Sequence, residues 1–147
     1  FSRFDRLAER HGLEKIKTIG DSYLVVGGLP LPRPDHAEAV AEMALGMLAS
    51  VHDLNSDSGI NLRVRIGLNT GPVVAGVIGR KKFTYDLWGT AVNLASRMQS
   101  SGLPNQIHLS EGTRRLLRAN FRVTERGTVH CKGLGDVRSY LLEGKQG

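Results

Sequence analysis

Leu62, Val64, Ile66 and Leu68 alternate with Arg63, Arg65, Gly67 and Asn69, the period of a strand with one face buried and one face wet. Thr70-Gly71-Pro72 predicts a turn behind it, and Val73–Ile78 a strand returning from that turn. A weaker alternation puts Leu13, Lys15, Lys17 and Ile19 on one face and Glu14, Ile16 and Thr18 on the other. Tyr23–Val26 is β-branched and aromatic, so a hairpin across the Gly20-Asp21 turn is expected.

Elsewhere the spacing is helical. Phe4, Leu7 and Ala8 predict a helix over residues 1–10, stopped by His11-Gly12. After the stiff Leu29–Pro34 loop, Asp35 stands as an N-cap with Glu38 three residues on, as in a capping box. The helix it opens carries a stripe of Ala37, Val40, Ala41, Ala44, Met47, Leu48 and Val51 to about Leu54, with Asn55–Gly59 a polar loop. A third helix starts at Thr90, with Ala91, Leu94, Ala95 and Met98 on one face and Asn93, Ser96, Arg97 and Ser100 on another. Ile107–Leu109 reads as a short strand and Ser110 as the cap of a helix to Ala119. Phe121–Val129 and Val137–Leu142 read as a closing antiparallel pair around Lys132-Gly133-Leu134-Gly135. Strand pairs interleaved with helices predict an α+β fold, a mostly antiparallel sheet with helices packed on it.

Composition narrows the function. The 147 residues fit one domain, with 40% hydrophobic and 23% charged residues, so neither a disordered nor a collagen-like chain is at issue. A net charge of +6 favours anionic partners. Aromatic residues at 5% and the lack of a long basic stripe argue against a nucleic-acid-binding domain. The sole cysteine, Cys131, permits neither an internal disulfide nor a thiolate zinc cluster, and points to a reducing, cytoplasmic setting. No apolar run is long enough to span a membrane. The five histidines lack metal-ligand spacing, and the Walker, dinucleotide-binding, zinc-protease and serine-hydrolase signatures are all absent.

What remains is a scatter of polar residues, each with a bland reading beside a functional one. Asp21 is an ordinary turn former, or a carboxylate ligand for a hard cation. Lys17 is an exposed strand lysine unless it meets a ligand. Asp86, within the apolar run Tyr85-Asp86-Leu87-Trp88, needs a partner if it is buried. Asn93 and Arg97 point the same way from one helix, on a solvated face or toward a ligand. Lys132, beside Gly133 and Gly135, is a loop lysine or a phosphate contact.

Together these residues carry a resemblance. The blocks Lys15-Ile16-Lys17-Thr18-Ile19-Gly20-Asp21-Ser22-Tyr23, Arg65-Ile66-Gly67-Leu68-Asn69-Thr70-Gly71-Pro72-Val73 and Tyr85-Asp86-Leu87-Trp88-Gly89-Thr90-Ala91-Val92-Asn93-Leu94-Ala95-Ser96-Arg97-Met98 resemble, in order, the catalytic domain of class III adenylyl and guanylyl cyclases. The closing Val129-His130-Cys131-Lys132-Gly133-Leu134-Gly135 fits as well. The third block is long and specific, and the four cover nearly the whole chain. The Gly-Gly-acid-acid-Phe signature of diguanylate cyclases is absent.

The resemblance implies a ferredoxin-like cyclase domain over residues 1–147 and conversion of ATP to 3′,5′-cyclic AMP and pyrophosphate. Attack of the 3′-hydroxyl on the α-phosphorus is assisted in the family by two divalent cations, Mg²⁺ or Mn²⁺. It implies Asp21 as a metal carboxylate, Lys17 and Asp86 as readers of the adenine edge, and Asn93 as the residue that orients the ribose. Arg97 is implied to stabilise charge on the α-phosphate, and Lys132 to hold the terminal phosphates. The sites are implied to lie at a homodimer interface. The family's first metal motif, Phe-x-Asp-Ile-x-Gly-Phe on an earlier strand, has no counterpart here, and Asp5 in its helical pattern is no substitute. A domain cut short of its first strand is therefore expected; family members are often fused to membrane spans or sensor domains, and a membrane-anchored form would place this domain in the cytosol. The alternative is a catalytically inactive, cyclase-like regulatory or dimerisation module, with or without the capacity to bind nucleotide.

Overall fold

α1 (Ser2–Arg10) turns Leu7 and Ala8 inward and ends at Gly12, whose φ of 68° lies in the left-handed region that a side chain resists. The coordinates come from a computed structural model of the chain and describe residues 2–29, 31–78, 84–117 and 120–145. The expected hairpin follows as β1 (Glu14–Ile19) and β2 (Ser22–Val26), antiparallel across Gly20-Asp21. The weak alternation expected along β1 is interrupted. The register shifts between Lys15, opposite Val25, and Lys17, opposite Leu24, leaving Ile16 as the bulged residue. Leu13 and Ile16 are both buried as a result, although period-two spacing places them on opposite faces.

α2 (His36–Ser58) is longer than its pattern suggests. It runs through the polar segment expected to be a loop and stops at Gly59, with φ of 72° and its N–H on the Asn55 carbonyl. Asp35 holds the N-cap position without a side-chain cap bond, so its half of the expected capping box does not form. Arg33 grips its carboxylate instead, Nε to Oδ1 at 2.7 Å and Nη2 to Oδ2 at 2.9 Å.

The main sheet has four strands in the order β3-β6-β8-β7: β3 (Arg65–Leu68), β6 (Gln106–Ser110), β8 (Gly135–Lys145) and β7 (Phe121–Cys131). β3 and β6 run parallel, and β6/β8 and β7/β8 antiparallel, the last two strands forming the long closing hairpin. The turn expected after β3 does not fold the chain back on it. β4 (Val74–Ile78) pairs instead with β5 (Thr84–Trp88), a strand that the hydrophobic pattern does not reveal. β3 finds its partner in β6 because its Ile66 and Leu68 join Ile107 and Leu109 in the core. Ile107 and Leu109 are fully buried, each contributing about 1.5–3 kcal/mol.

α3 (Thr90–Ser100) follows β5 directly through Gly89, and α4 (Glu111–Leu116) is capped by Ser110, whose Oγ accepts from Thr113 N. The Arg80-Lys81-Lys82 cluster and the expected end of α4 at Ala119 lie outside the described residues. The fold is α+β and rich in antiparallel pairs, as expected. Among the described residues no helix is long and apolar enough to cross a membrane.

Candidate nucleotide site

β1 and β5 meet at a polar contact between Lys17 and Asp86. Lys17 Nζ donates to Asp86 Oδ2 at 2.9 Å, and the backbone N–H of Leu87 donates to Asp86 Oδ1 at 2.7 Å. The Lys17 side chain is 32% exposed and that of Asp86 12%, so the pair sits at the rim of the fold, half out of water. Lys17 follows the bulged Ile16, so the strand buries Ile16 and still brings Lys17 to β5. The Lys17 ammonium, then the Leu87 N–H, hold the Asp86 carboxyl below the usual carboxylate range. Asp86 is therefore ionised at neutral pH, an acceptor beside a donor.

Arg97, on α3, donates from Nε to the carbonyl oxygen of His130 at 3.2 Å. His130 lies near the end of β7, and the turn from β7 to β8 carries Lys132. The exposed Arg97 is thus held beside the hairpin end that bears Lys132, also exposed. Asn93 is exposed one helical turn before Arg97.

Asp21 is exposed in the β1–β2 turn, after Gly20 with φ of 58°. Among the described residues no group of three or more acids, histidines or cysteines could hold a metal ion. Asp5 is already engaged: Tyr23 Oη donates to Asp5 Oδ1 at 2.7 Å and Lys15 Nζ lies 3.3 Å away. The Tyr23 bond, followed by Lys15, lowers the Asp5 pKa, while burial and the Asp5 contact push the Tyr23 hydroxyl up. Asp21 alone does not make a site for two cations.

Of the residues singled out in the sequence, Lys17 and Asp86 are in direct contact, and Arg97 is placed against the strand leading to Lys132. Asp21 and Asn93 are brought to the surface without closing a site. Two features leave little trace in the sequence. His130 acts through its main-chain carbonyl, which no residue type signals. Asn69 reaches Ala91 O of α3, and its only signal is a polar side chain at the end of an apolar strand.

The family model for the adenylate and guanylate cyclase catalytic domain matches residues 1–144, and the chain belongs to that family. It is 47% identical over 146 residues, 99% of its length, to an adenylate cyclase of Mycobacterium bovis, and spans 33% of that relative. It is 46% identical over 144 residues, 97% of its length, to guanylate cyclase soluble subunit beta-2 of Rattus norvegicus, and spans 21% of that one. The guanylate cyclase domain of RhGC from Catenaria anguillulae, solved in complex with GTP, superposes with a TM-score of 0.90 at 36% identity, covering 97% of this chain and 78% of that one. The chain is thus a cyclase-family domain with the mixed α+β fold of class III cyclases, and its relatives include both adenylate and guanylate cyclases.

Proposed function

We propose that this domain belongs to an adenylyl cyclase, converting ATP to 3′,5′-cyclic AMP and pyrophosphate. The observation that carries this reading is the Lys17–Asp86 pair, an ammonium donor 2.9 Å from a carboxylate acceptor at one edge of the fold. Adenine presents an acceptor at ring N1 and a donor at its exocyclic amine, so Lys17 donates to the first and Asp86 accepts from the second. Guanine presents a donor at N1 and an acceptor at O6, and both contacts are then mismatched. A mismatched buried polar group costs on the order of 1–3 kcal/mol.

The remaining roles are those that the cyclase resemblance implies, and the chemistry of each side chain suits them. Asn93 hydrogen-bonds and orients the ribose. Arg97 faces the α-phosphate, where negative charge builds up in the transition state, with a guanidinium that cannot lose its proton. Lys132 offers a flexible point charge to the terminal phosphates. Class III cyclases use divalent cations; Asp21 is the carboxylate available for a share in such a site, and the described residues do not complete it. Two copies of the chain, each supplying Asp21 to one site and the base readers, Asn93 and Arg97 to the other, make a symmetric homodimer with two equivalent sites.

The test is cyclic nucleotide formation by the intact protein from ATP and from GTP, with Mn²⁺ and an Asp21→Ala control. Cyclic AMP formation abolished in the control supports the reading, and cyclic GMP as the main product overturns the base assignment. The lack of a completed carboxylate set among the described residues favours one other reading, an inactive regulatory or dimerisation module, which dimerisation without turnover would support.

A further inference from the structure

Gly67 and Asn69 stand on and just beyond β3, under α3, and the roles given above leave both without a task. A Cβ on Gly67 would overlap the backbone N of Gln99 and lie 2.6 Å from the carbonyl oxygen of Ala95. Both obstacles are main chain of α3 and cannot swing aside, so the helix rests directly on the strand only because residue 67 has no side chain.

Two residues on, Asn69 Nδ2 donates to the carbonyl oxygen of Ala91, in the first turn of α3, at 2.9 Å. The Asn69 amide is itself held: its Oδ1 accepts from Ser110 Oγ at 2.6 Å, and Ser110 is buried where β6 meets α4. The amide therefore cannot rotate without breaking a bond at each end. Thr70 Oγ1 and Thr113 Oγ1 are bonded at 2.9 Å at the outer end of this network, where Thr113 Oγ1 lies 3.4 Å from Ser110 Oγ and neither bond of the Asn69 amide involves Thr70.

The helix is thus gripped at Ala91 and seated at Ala95 and Gln99, and Asn93 and Arg97 lie between those points. We propose that Gly67 and Asn69 are positioning residues that set the height and axial placement of α3, and with it the aim of Asn93 and Arg97. This role rests on Asn93 and Arg97 touching the nucleotide, as proposed above. It concerns the phosphoryl end of the site and leaves base reading by Lys17 and Asp86 untouched.

Asn69→Ala carries the test, because Gly67→Ala places a methyl against backbone and is prone to unfold. In the intact protein, Asn69→Ala lowers kcat for ATP by roughly tenfold to a hundredfold, since an ångström of misplacement is enough to do so, and leaves KM within about threefold. Ser110→Ala, which frees the far side of the amide, gives a smaller loss in kcat. Thr70→Val removes a neighbouring hydroxyl bond and keeps kcat near wild type. Amide hydrogen exchange across α3 is faster in Asn69→Ala and unchanged in Thr70→Val. Wild-type kcat and wild-type α3 exchange in Asn69→Ala overturn the proposal, as does an equal loss of kcat in Thr70→Val. If the wild-type protein forms no cyclic nucleotide, the functional reading fails on its own. The α3 exchange rates then decide the seat: faster exchange in Asn69→Ala alone supports it, and unchanged exchange overturns it.

Discussion

Lys17 and Asp86, 69 positions apart in the chain, share a hydrogen bond of 2.9 Å between two strands that belong to different sheets. Each satisfies the other when no base is present. On the proposed reading, an incoming adenine would meet a donor and an acceptor already fixed side by side, with little ordering left to oppose binding.

Replacing both readers should change the base that is preferred. Lys17→Glu with Asp86→Cys is expected to lower ATP turnover and shift the ATP/GTP ratio of kcat/KM toward GTP by roughly tenfold to a hundredfold. Steady-state kinetics with each nucleotide measure this. A ratio equal to that of the wild type would remove both residues from base selection.

Arg97 should matter to turnover more than to binding. Arg97→Ala is expected to lower kcat by about a hundredfold to a thousandfold, the usual effect of removing one group that stabilises developing charge, with a small change in KM. Arg97→Lys should recover little, because a point charge does not reproduce the guanidinium fork. Parallel losses in kcat and in nucleotide affinity would reduce Arg97 to a binding residue.

A site shared between two copies predicts complementation. Asp21→Ala and Arg97→Ala proteins should each be nearly inactive. Mixed in equal amounts and allowed to exchange partners, they should recover about a quarter of wild-type activity, since half the dimers are mixed and each holds one intact site. No recovery, with exchange shown by a labelled subunit, would place both residues in one chain's own site.

Acid should loosen the fold through His108. Its ring is fully buried, with Nδ1 2.8 Å from Met98 O and the Arg126 guanidinium 3.4 Å away, and burial leads the causes that lower its pKa from 6.5. Below about pH 6.5 the unfolded chain takes up a proton that the folded chain refuses, so this contribution is present above that pH and lost as pH falls. Melting temperatures at about pH 7.5 and about pH 5.5 should show a smaller acid loss in His108→Gln than in wild type. Equal losses would assign the acid sensitivity to other groups.

The period-two run ending at Leu68 and the long closing hairpin were legible because one face of each strand is apolar and the other polar. β5 was not, since its middle holds Asp86, whose partner lies on a distant strand. Thr70-Gly71-Pro72 reads locally as the turn of a hairpin, yet β3 pairs in parallel with β6, because register is decided by a core that brings Ile66 and Leu68 to Ile107 and Leu109. α2 ends beyond its expected C-terminus because Asn55–Ser58 are weak helix formers that a left-handed Gly59 cap still holds in the helix. The candidate site residues are singled out one by one through the cyclase-like blocks. Their contacts were not, because a hydrogen bond between Lys17 and Asp86 leaves no local pattern.

Arg97 leans on the carbonyl of His130 and makes no use of its imidazole. That acceptor survives any substitution at position 130, because every amino acid brings the same main-chain oxygen. A saturation library should therefore tolerate most side chains at 130 while rejecting nearly all at 97, and sequence drift at 130 would leave the guanidinium's support in place.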